Sequence, residues 1–429
     1  MTLNTESALT KPEVYETKRI QLTSPLLHIG SAVSQLSPFE YVQTGKFVYL
    51  PNQDALAKAL KERGRLQDYI ETIQARRVED RDITPLLKNV FGEEWYLAKD
   101  EHEQPIFPKE RRSLKWTDQK ITDLRPMIRN GFGQLYIPGS SIKGAIRTAI
   151  AYHLLKHGDR YNVPTQQRVS EIEQKLRDSM GDLKKRAKFA DDKLFMDRLF
   201  ADFDLIYQDR SVSAREGPNT DFMRAVHVSD TEPILEKEVI NKKGQKGFLN
   251  QAVAAEVVVS SHFPDWKAKN RASIYTEMVR LVQTTFTLTL DTEMLSWFHH
   301  TQGMKLPFQT VDELMKLCQE FAQDQWDFEH DYWQSIQNNP NAQGKNLDFT
   351  EIRMFYEPEQ CPFNLRIGWA SGMAGTTINM LLKDDLTSEI RDTCGIKAPG
   401  FEAPKSRRTV VSSSGSIKFV PGWVRFKVS

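Results

Sequence analysis

The chain has 429 residues, 39% of them hydrophobic and 10% aromatic, enough to bury a sizeable core and to build more than one packed unit. Its 58 basic and 57 acidic residues leave a formal charge of +1, which excludes a whole-molecule field that would bind polyanions indiscriminately. Any nucleic-acid site is therefore a local patch. No run approaches the roughly 20 apolar residues of a membrane span. Residues 1–18 lack a basic stretch leading into an apolar one. Cys318, Cys361 and Cys394 are too few and too scattered for a disulfide framework or a paired zinc half-site. The expectation is a cytoplasmic protein with no metal or other cofactor.

Residues 18–30, KRIQLTSPLLHIG, alternate apolar Ile20 and Leu22 with polar Gln21 and Thr23 and predict a strand, which Pro25 restricts to an edge or bulged course. Two aromatic and β-branched runs, 39–43 and 46–50, flank Thr44-Gly45 as a hairpin, and Asn52 is placed to N-cap the helix after it. From about 54 to 110 the pattern is charged and helical and reads as an insertion; a second helical insertion is expected at about 158–202. Between them, 134–137 predict a short strand and Pro138-Gly139 a break. An amphipathic helix follows at 140–156, with Ile142, Ala145, Ile146, Ala149 and Ile150 on its apolar face. Strands are expected at 203–207, 222–228, 252–260 and 285–290, a helical block at about 311–337, and further strands at 364–369 and 423–428. Strands and helices intermix without a βαβ repeat, so the fold class is α+β. A break at 264–270 suggests one domain at 1–265 carrying both insertions and a second at 266–429 with a glycine-rich loop.

The densest functional pattern is IPGSSIKGAIRT at 137–148. Gly139 permits close backbone approach, and Ser140 and Ser141 place hydroxyls beside the unpaired N–H groups of a helix start, which suits a phosphate. Lys143 and Arg147 stand one turn apart, where like charges repel unless an anion bridges them. A P-loop does not match, because Lys143 precedes Gly144 instead of following it. On spacing alone, a capped helix with solvated cations is an equally good reading.

Elsewhere, Lys405, Arg407 and Arg408 form a compact basic loop suited to phosphate, with a merely solvated loop as the alternative. Arg224 and His227 fall on opposite faces of the 222–228 strand, and Arg224 is the better candidate for a ligand contact. Gly368, Gly372 and Gly375 do not make a dinucleotide fingerprint and fit a tight turn near a ligand. His28, at a strand end, suits ligand contact or packing better than general-base work.

PGSSIKGAIRT closely resembles the signature of the RAMP superfamily, in which a strand, a P-G-S-S-[IL]-K-G turn and a helix bearing R-[ST] follow one another. The stretch LTSPLLHIGSAVSQLSPFEYVQTGKFVYL at 22–50 is similar to the opening of the subunit at the guide-RNA 3′ end of type III-A CRISPR (Csm) complexes. DFMRAVHVSDTEPI at 221–234, FNLRIGWASGMAGTTINML at 363–381, PKSRRTV at 404–410 and the terminal PGWVRFKVS resemble the same subunit. Ala32 stands where that pattern has a second glycine, and neither insertion aligns.

The resemblance implies two modified RRM-like or ferredoxin-like domains. It also implies a non-catalytic, RNA-binding role that caps the guide RNA (crRNA) and supports its trimming by recruited nucleases. Gly139, Ser140, Ser141, Lys143 and Arg147 would hold guide phosphates, with His28, Gly30 and Ser31 bordering the groove and Arg224, Gly372, Lys405, Arg407 and Arg408 adding to it. The implied partners are the crRNA and the neighbouring Csm backbone and small subunits, with target RNA and host nucleases as further candidates and no membrane.

Two alternatives stand beside this. One is a different RAMP protein, either a backbone subunit or a guide-processing endoribonuclease that uses His28. The other is an HD-type metal phosphohydrolase built from His299, His300, Asp327, Glu329, His330 and Asp331. Against the latter, helical spacing in DQWDFEHDYW gives Trp326, Tyr332 and Trp333 to packing and the acids to a solvated face.

Overall fold

The computed structural model describes residues 14–186, 192–213, 217–240, 244–394 and 397–428. The polar N-terminal stretch 1–13 and residues 187–191 of the second insertion lie outside them.

The alternation of Ile20 and Leu22 produces strand β1 (Tyr15–Leu27), whose apolar side chains are fully buried. Short strands β2 (Val42–Gln43) and β3 (Phe47–Tyr49) form the expected hairpin, and β4 (Arg112–Lys115) pairs with β3. The remaining strands of the main sheet are β5 (Val226–Val228), β6 (Gln251–His262), β7 (Ala268–Asp291), β8 (Leu365–Arg366), β9 (Arg407–Val411), β10 (Ile417–Phe419) and β11 (Trp423–Val428). Their order is β8-β11-β1-β7-β6-β4-β3-β2, with β5 on β7, β9 on β6 and β10 on β9.

Pro25, which has no N–H to donate, drops out of the ladder between Ser24↔Val282 and Leu26↔Arg280, opposite Leu281 at φ +48°. The strand is nonetheless interior to the sheet, between β7 and β11, and tolerates Pro25 because β11 pairs with it only over Ile20 to Thr23.

Helix α1 (Gly139–Lys156) buries Ile142, Ile146, Ala149 and Ile150 against this sheet, as its periodicity requires. Helix α2 (Val311–Ser335) starts on a capping box, Thr310 with Glu313, and packs Leu314, Leu317 and Phe321 into the same core. A second core gathers around Trp326, Trp333, Trp423 and Phe349.

The first insertion is helical, with Gln53–Glu62, Leu66–Ile73 and Thr84–Phe91, and Asn52 caps the first helix by accepting the Ala55 N–H. It carries its own small core, in which Trp95 meets Phe107 at 4.8 Å and Tyr49 at 5.2 Å. The second insertion contains helices Val169–Asp178, Met180–Arg186 and Asp197–Ala201.

Mixed helix and sheet agree with the α+β expectation. The expected boundary at 265 falls in the turn joining β6 to β7, which pair from Gln251↔Arg280 to His262↔Ala268; one sheet and one core run across it. Residues 134–137 are a correction: they run alongside 231–234 through Ile137 and Leu135 carbonyls, with one isolated bridge, and do not form a regular strand.

Candidate nucleic-acid interface

The foundation is a buried carboxylate. Glu277 on β7 has no exposed surface and accepts from Ser113 Oγ at 2.7 Å, from Met127 N at 3.0 Å and from both Arg129 terminal nitrogens at 2.7 and 2.6 Å. Burial alone would raise its pKa, but the bidentate Arg129 holds it below the ordinary value. This network pins the 125–129 segment to β7, where Arg125 also bridges Thr276 through backbone bonds.

His28 follows β1 and lies beneath the surface, 3% exposed. Its Nδ1–H donates to the Glu277 carbonyl at 2.7 Å, which fixes the tautomer because a carbonyl only accepts. Burial keeps the imidazole pKa below its usual value. His28 therefore packs instead of facing RNA, a correction to its expected place on the groove wall. Its carbonyl accepts the Trp369 N–H at 3.3 Å, and its ring meets the Trp369 indole edge-on at 5.7 Å. Gly30, exposed, bridges Met127, and Ser31 Oγ donates to the Val33 carbonyl at 2.7 Å.

Above His28 stands a pair of residues the sequence reading missed, Arg125 and Trp369. The guanidiniums of Arg125 and Arg408 lie 5.3 and 4.2 Å from the Trp369 ring. Arg408 donates to the Trp369 carbonyl at 3.0 Å, and Arg125 reaches the Ser34 carbonyl at 3.5 Å. Among the described residues neither meets a carboxylate, and the Arg125 Nε is buried without a hydrogen-bond partner. Burial first, then the nearby Arg125 and Arg366, depress the Arg408 pKa. Trp369 was visible inside the RIGWASG segment, but nothing local marked it as the platform for two arginines far from it in sequence.

The PGSSIKG segment is divided by the fold. A Cβ on Gly139 would lie 2.3 Å from the Val228 carbonyl oxygen, and the Gly139 N–H donates to Asp230 at 2.7 Å. The close approach is to the protein's own backbone, so Gly139 packs and does not face a phosphate. Arg147 is likewise committed: it pairs with Asp221 at 2.5 Å and stacks 3.8 Å over Phe200. The anion that bridges the Lys143/Arg147 flank is an internal carboxylate. Lys143 makes no ion pair within the described residues; burial lowers its pKa, Asp221 opposes this, and Arg147 adds to it. Ser140 is exposed and Ser141 half-buried beside it.

Arg224 sits in a short 3-10 turn, Phe222–Ala225, and not on a strand; it is exposed and donates to the Asn219 carbonyl at 2.7 Å. The turn forms because Asp221 accepts the Met223 N–H. Gly372, at φ +68°, is exposed with open space where a Cβ would be. The short helix it opens, Gly372–Thr376, packs on α1, so the 368–376 turn links the Trp369 stack to the PGSSIKG helix.

The basic loop at 404–409 is also divided. Arg407 is 6% exposed and belongs to β9, where it pairs with Glu329 at 3.0 Å, donates to Pro404 O at 2.7 Å and lies 4.0 Å over Tyr332. It is a core cation, not a phosphate contact. Lys405 remains at the surface, its pKa lowered by burial and then by Arg271, Arg391 and Lys269.

One further expectation changes, and one alternative falls. Glu329 is buried, not part of a solvated face. The HD-type ligands do not assemble: His299 and His300 lie on a short strand paired with Phe203–Tyr207, and His330 pairs with its neighbour Asp331. Among the described residues one other group, His153, His157 and Glu320, is spaced for a metal. Among the described residues no helix is long and apolar enough to cross a membrane.

Three buried imidazoles, His28, His153 and His300, have pKa values lowered chiefly by burial. The unfolded chain takes up those protons near pH 6.5, whereas the folded chain resists them. Their contribution to stability is complete above about pH 6.5 and is lost as pH falls toward the folded values. Melts between pH 7 and 5 are expected to show a falling Tm, with a shallower slope in His28→Asn; an equal slope would rule His28 out as a source.

Residues 19–357 match the RAMP superfamily. A stretch of 169 residues, 34% of this chain, is 25% identical to the CRISPR-system protein Csm5 of Enterococcus italicus and covers 48% of it, about half that relative's length. Two solved structures share the fold. One is a chain of a Csm–crRNA–target RNA ternary complex from a type III-A CRISPR–Cas system: TM-score 0.62, 22% identity, 96% of this chain and 100% of that one. The other is Csm5 of T. onnurineus: TM-score 0.55, 17% identity, 95% of this chain and 100% of that one. The superfamily match begins within β1, passes through the PGSSIKG helix and ends beyond α2, and the chain accordingly belongs to the RAMP superfamily.

Proposed function

We propose that this chain is a non-catalytic, RNA-binding subunit of a cytoplasmic type III-A CRISPR (Csm) ribonucleoprotein, capping the crRNA 3′ end and supporting crRNA maturation. Its partners are the crRNA and the neighbouring backbone and small subunits, with target RNA within reach of the same particle. The observation that carries the reading is the Arg125–Trp369–Arg408 stack: two guanidiniums that meet no carboxylate among the described residues, held on one indole beside the Gly30–Ser31 segment. Such a group receives phosphates on the arginine N–H forks and a base on the aromatic surface. Ser140, Ser141 and Lys143 form a second patch, joined to the first through the 368–376 turn, with Arg224 and Lys405 as outlying cations. The reading assigns no cleavage chemistry because the one histidine weighed as a base, His28, is buried with Nδ1 committed to a carbonyl.

The test is co-expression with the neighbouring Csm subunits and a guide array, comparing wild type with Arg125→Ala/Arg408→Ala and with Lys143→Ala, and sizing the guide RNA that co-purifies. Untrimmed guide, or loss of this subunit from an otherwise intact particle, is expected. For the isolated chain, each lost phosphate contact should lower the slope of log affinity against log salt by roughly one. Unchanged guide length with full incorporation would overturn the proposal. Cleavage of a guide precursor by the purified chain, abolished in His28→Ala, would favour the endoribonuclease reading.

A further inference from the structure

His153, in the last turn of α1, and His157, the residue that caps its C-terminus, stand four residues apart with ring centroids 4.6 Å apart. Helix α2 packs against α1 and brings Glu320 to both: Oε2 lies 2.8 Å from His153 Nδ1 and Oε1 lies 2.7 Å from His157 Nε2. The three ligand atoms all lie within 4.8 Å of one another. A tetrahedral ion with bonds of about 2.0–2.2 Å needs ligand atoms roughly 3.3 Å apart. Reaching that spacing takes outward rotations of Glu320 and His157, which are each about a third exposed (30% and 32%) and so have room to move.

The surroundings fit a cation better than a plain hydrogen-bond network. His153 Nδ1 is buried and lies 2.8 Å from Glu320 Oε2, close to it but outside good hydrogen-bond geometry. Its other nitrogen, Nε2, lies 2.9 Å from Tyr161 Oη, the kind of outer contact that fixes a ligating imidazole. Lys156 does not close the site, because its ammonium also pairs with Asp324 at 2.6 Å and keeps that partner if it releases Glu320. Glu320 and Asp324 also line a solvent-open depression with Gln319 and Gln323, so the carboxylate is reachable from solvent.

We infer that His153, His157 and Glu320 form a binding site for a divalent ion of the zinc class, clamping α1 to α2. Two imidazoles and one carboxylate select such an ion over magnesium or calcium, which take oxygen ligands. Local spacing does not reveal it, since Glu320 lies 163 residues from His157. The site goes beyond the RNA-binding reading: it lies on the same helix as the PGSSIKG segment, toward its C-terminal end, and binds ion whether or not RNA is bound.

The test uses the full chain, stripped with a chelator. Cobalt(II) is titrated in first, with its visible absorption as the readout, and zinc(II) is then measured by competition with a chromophoric chelator. Wild type is expected to take up one ion per chain with a tetrahedral cobalt spectrum. Tyr161→Phe should weaken binding about tenfold, and His157→Gln at least about 100-fold, beyond what loss of an outer contact costs. His157→Gln retains a donor for Glu320, and circular dichroism checks that it folds. His330→Gln and Cys394→Ser, which alter an exposed imidazole and the exposed thiol, should bind as wild type does. Absence of saturable binding in wild type, equal affinity in His157→Gln, or dependence on Cys394 would overturn the site.

Discussion

Glu329→Gln is expected to destabilise the chain by about 3–5 kcal/mol, seen as a lower denaturation midpoint in urea with an unchanged slope. Glu329 is 3% exposed on α2 and faces two arginines that are almost as buried, Arg366 at 5% and Arg407 at 6%. Arg407 Nε lies 3.0 Å from its carboxylate, and Arg366 Nη1 lies at 3.6 Å. The glutamine keeps the shape and one acceptor, but it removes the only negative charge shown paired to either cation among the described residues. What is lost is the compensation for desolvating the arginines, which is larger than the net worth of the pair. The double variant Glu329→Gln/Arg407→Met should therefore be less destabilised than the sum of the single changes. Strict additivity would mean that water reaches Arg407 and that the pair is not a core interaction.

That pair shows where sequence reasoning stops. Elements were legible because their signals are local: the alternation at Ile20 and Leu22, the cap at Asn52, and the apolar stripe from Ile142 to Ile150 each sit within a few residues of what they specify. The fate of a charged side chain is not local. Lys143 and Arg147 look equivalent on one helix flank, yet Asp221, 74 residues away from Arg147, ties down one and leaves the other without an ion pair. Arg407 and Arg408 are adjacent, but strand alternation sends one to Glu329 in the core and the other to Trp369. The pattern at 222–228 was misread for a related reason: the Asp221 side chain captures the Met223 N–H and makes a turn where the apolar run suggested a strand. Composition identified a local basic patch as the only kind of site available. Its members depended on which arginines found acids elsewhere in the fold.

Gly368→Ala should join the fold and the candidate interface in one measurement. Gly368 has φ +84° and ψ −172°, a region that essentially only glycine occupies, at a cost of about 1–3 kcal/mol for any other residue. A Cβ there would lie 2.2 Å from the His28 carbonyl oxygen and 3.0 Å from Ile29 Cδ1. The carbonyl cannot retreat freely, because it accepts the Trp369 N–H and its residue is anchored to Glu277. The turn must move, and Trp369 moves with it, taking the platform from under Arg125 and Arg408. Gly372→Ala is the matched control: φ is +68° and ψ is −171°, but open space surrounds the added methyl group. Both variants carry the backbone strain, and Gly368→Ala is expected to lose about 1–3 kcal/mol more from overpacking. It should also flatten the salt dependence of RNA binding by roughly two units, one for each displaced arginine, while Gly372→Ala leaves that slope unchanged. Equal stability losses with equal slopes would mean that Gly368 serves only the turn, and that the stack above His28 does not depend on the close approach beneath it.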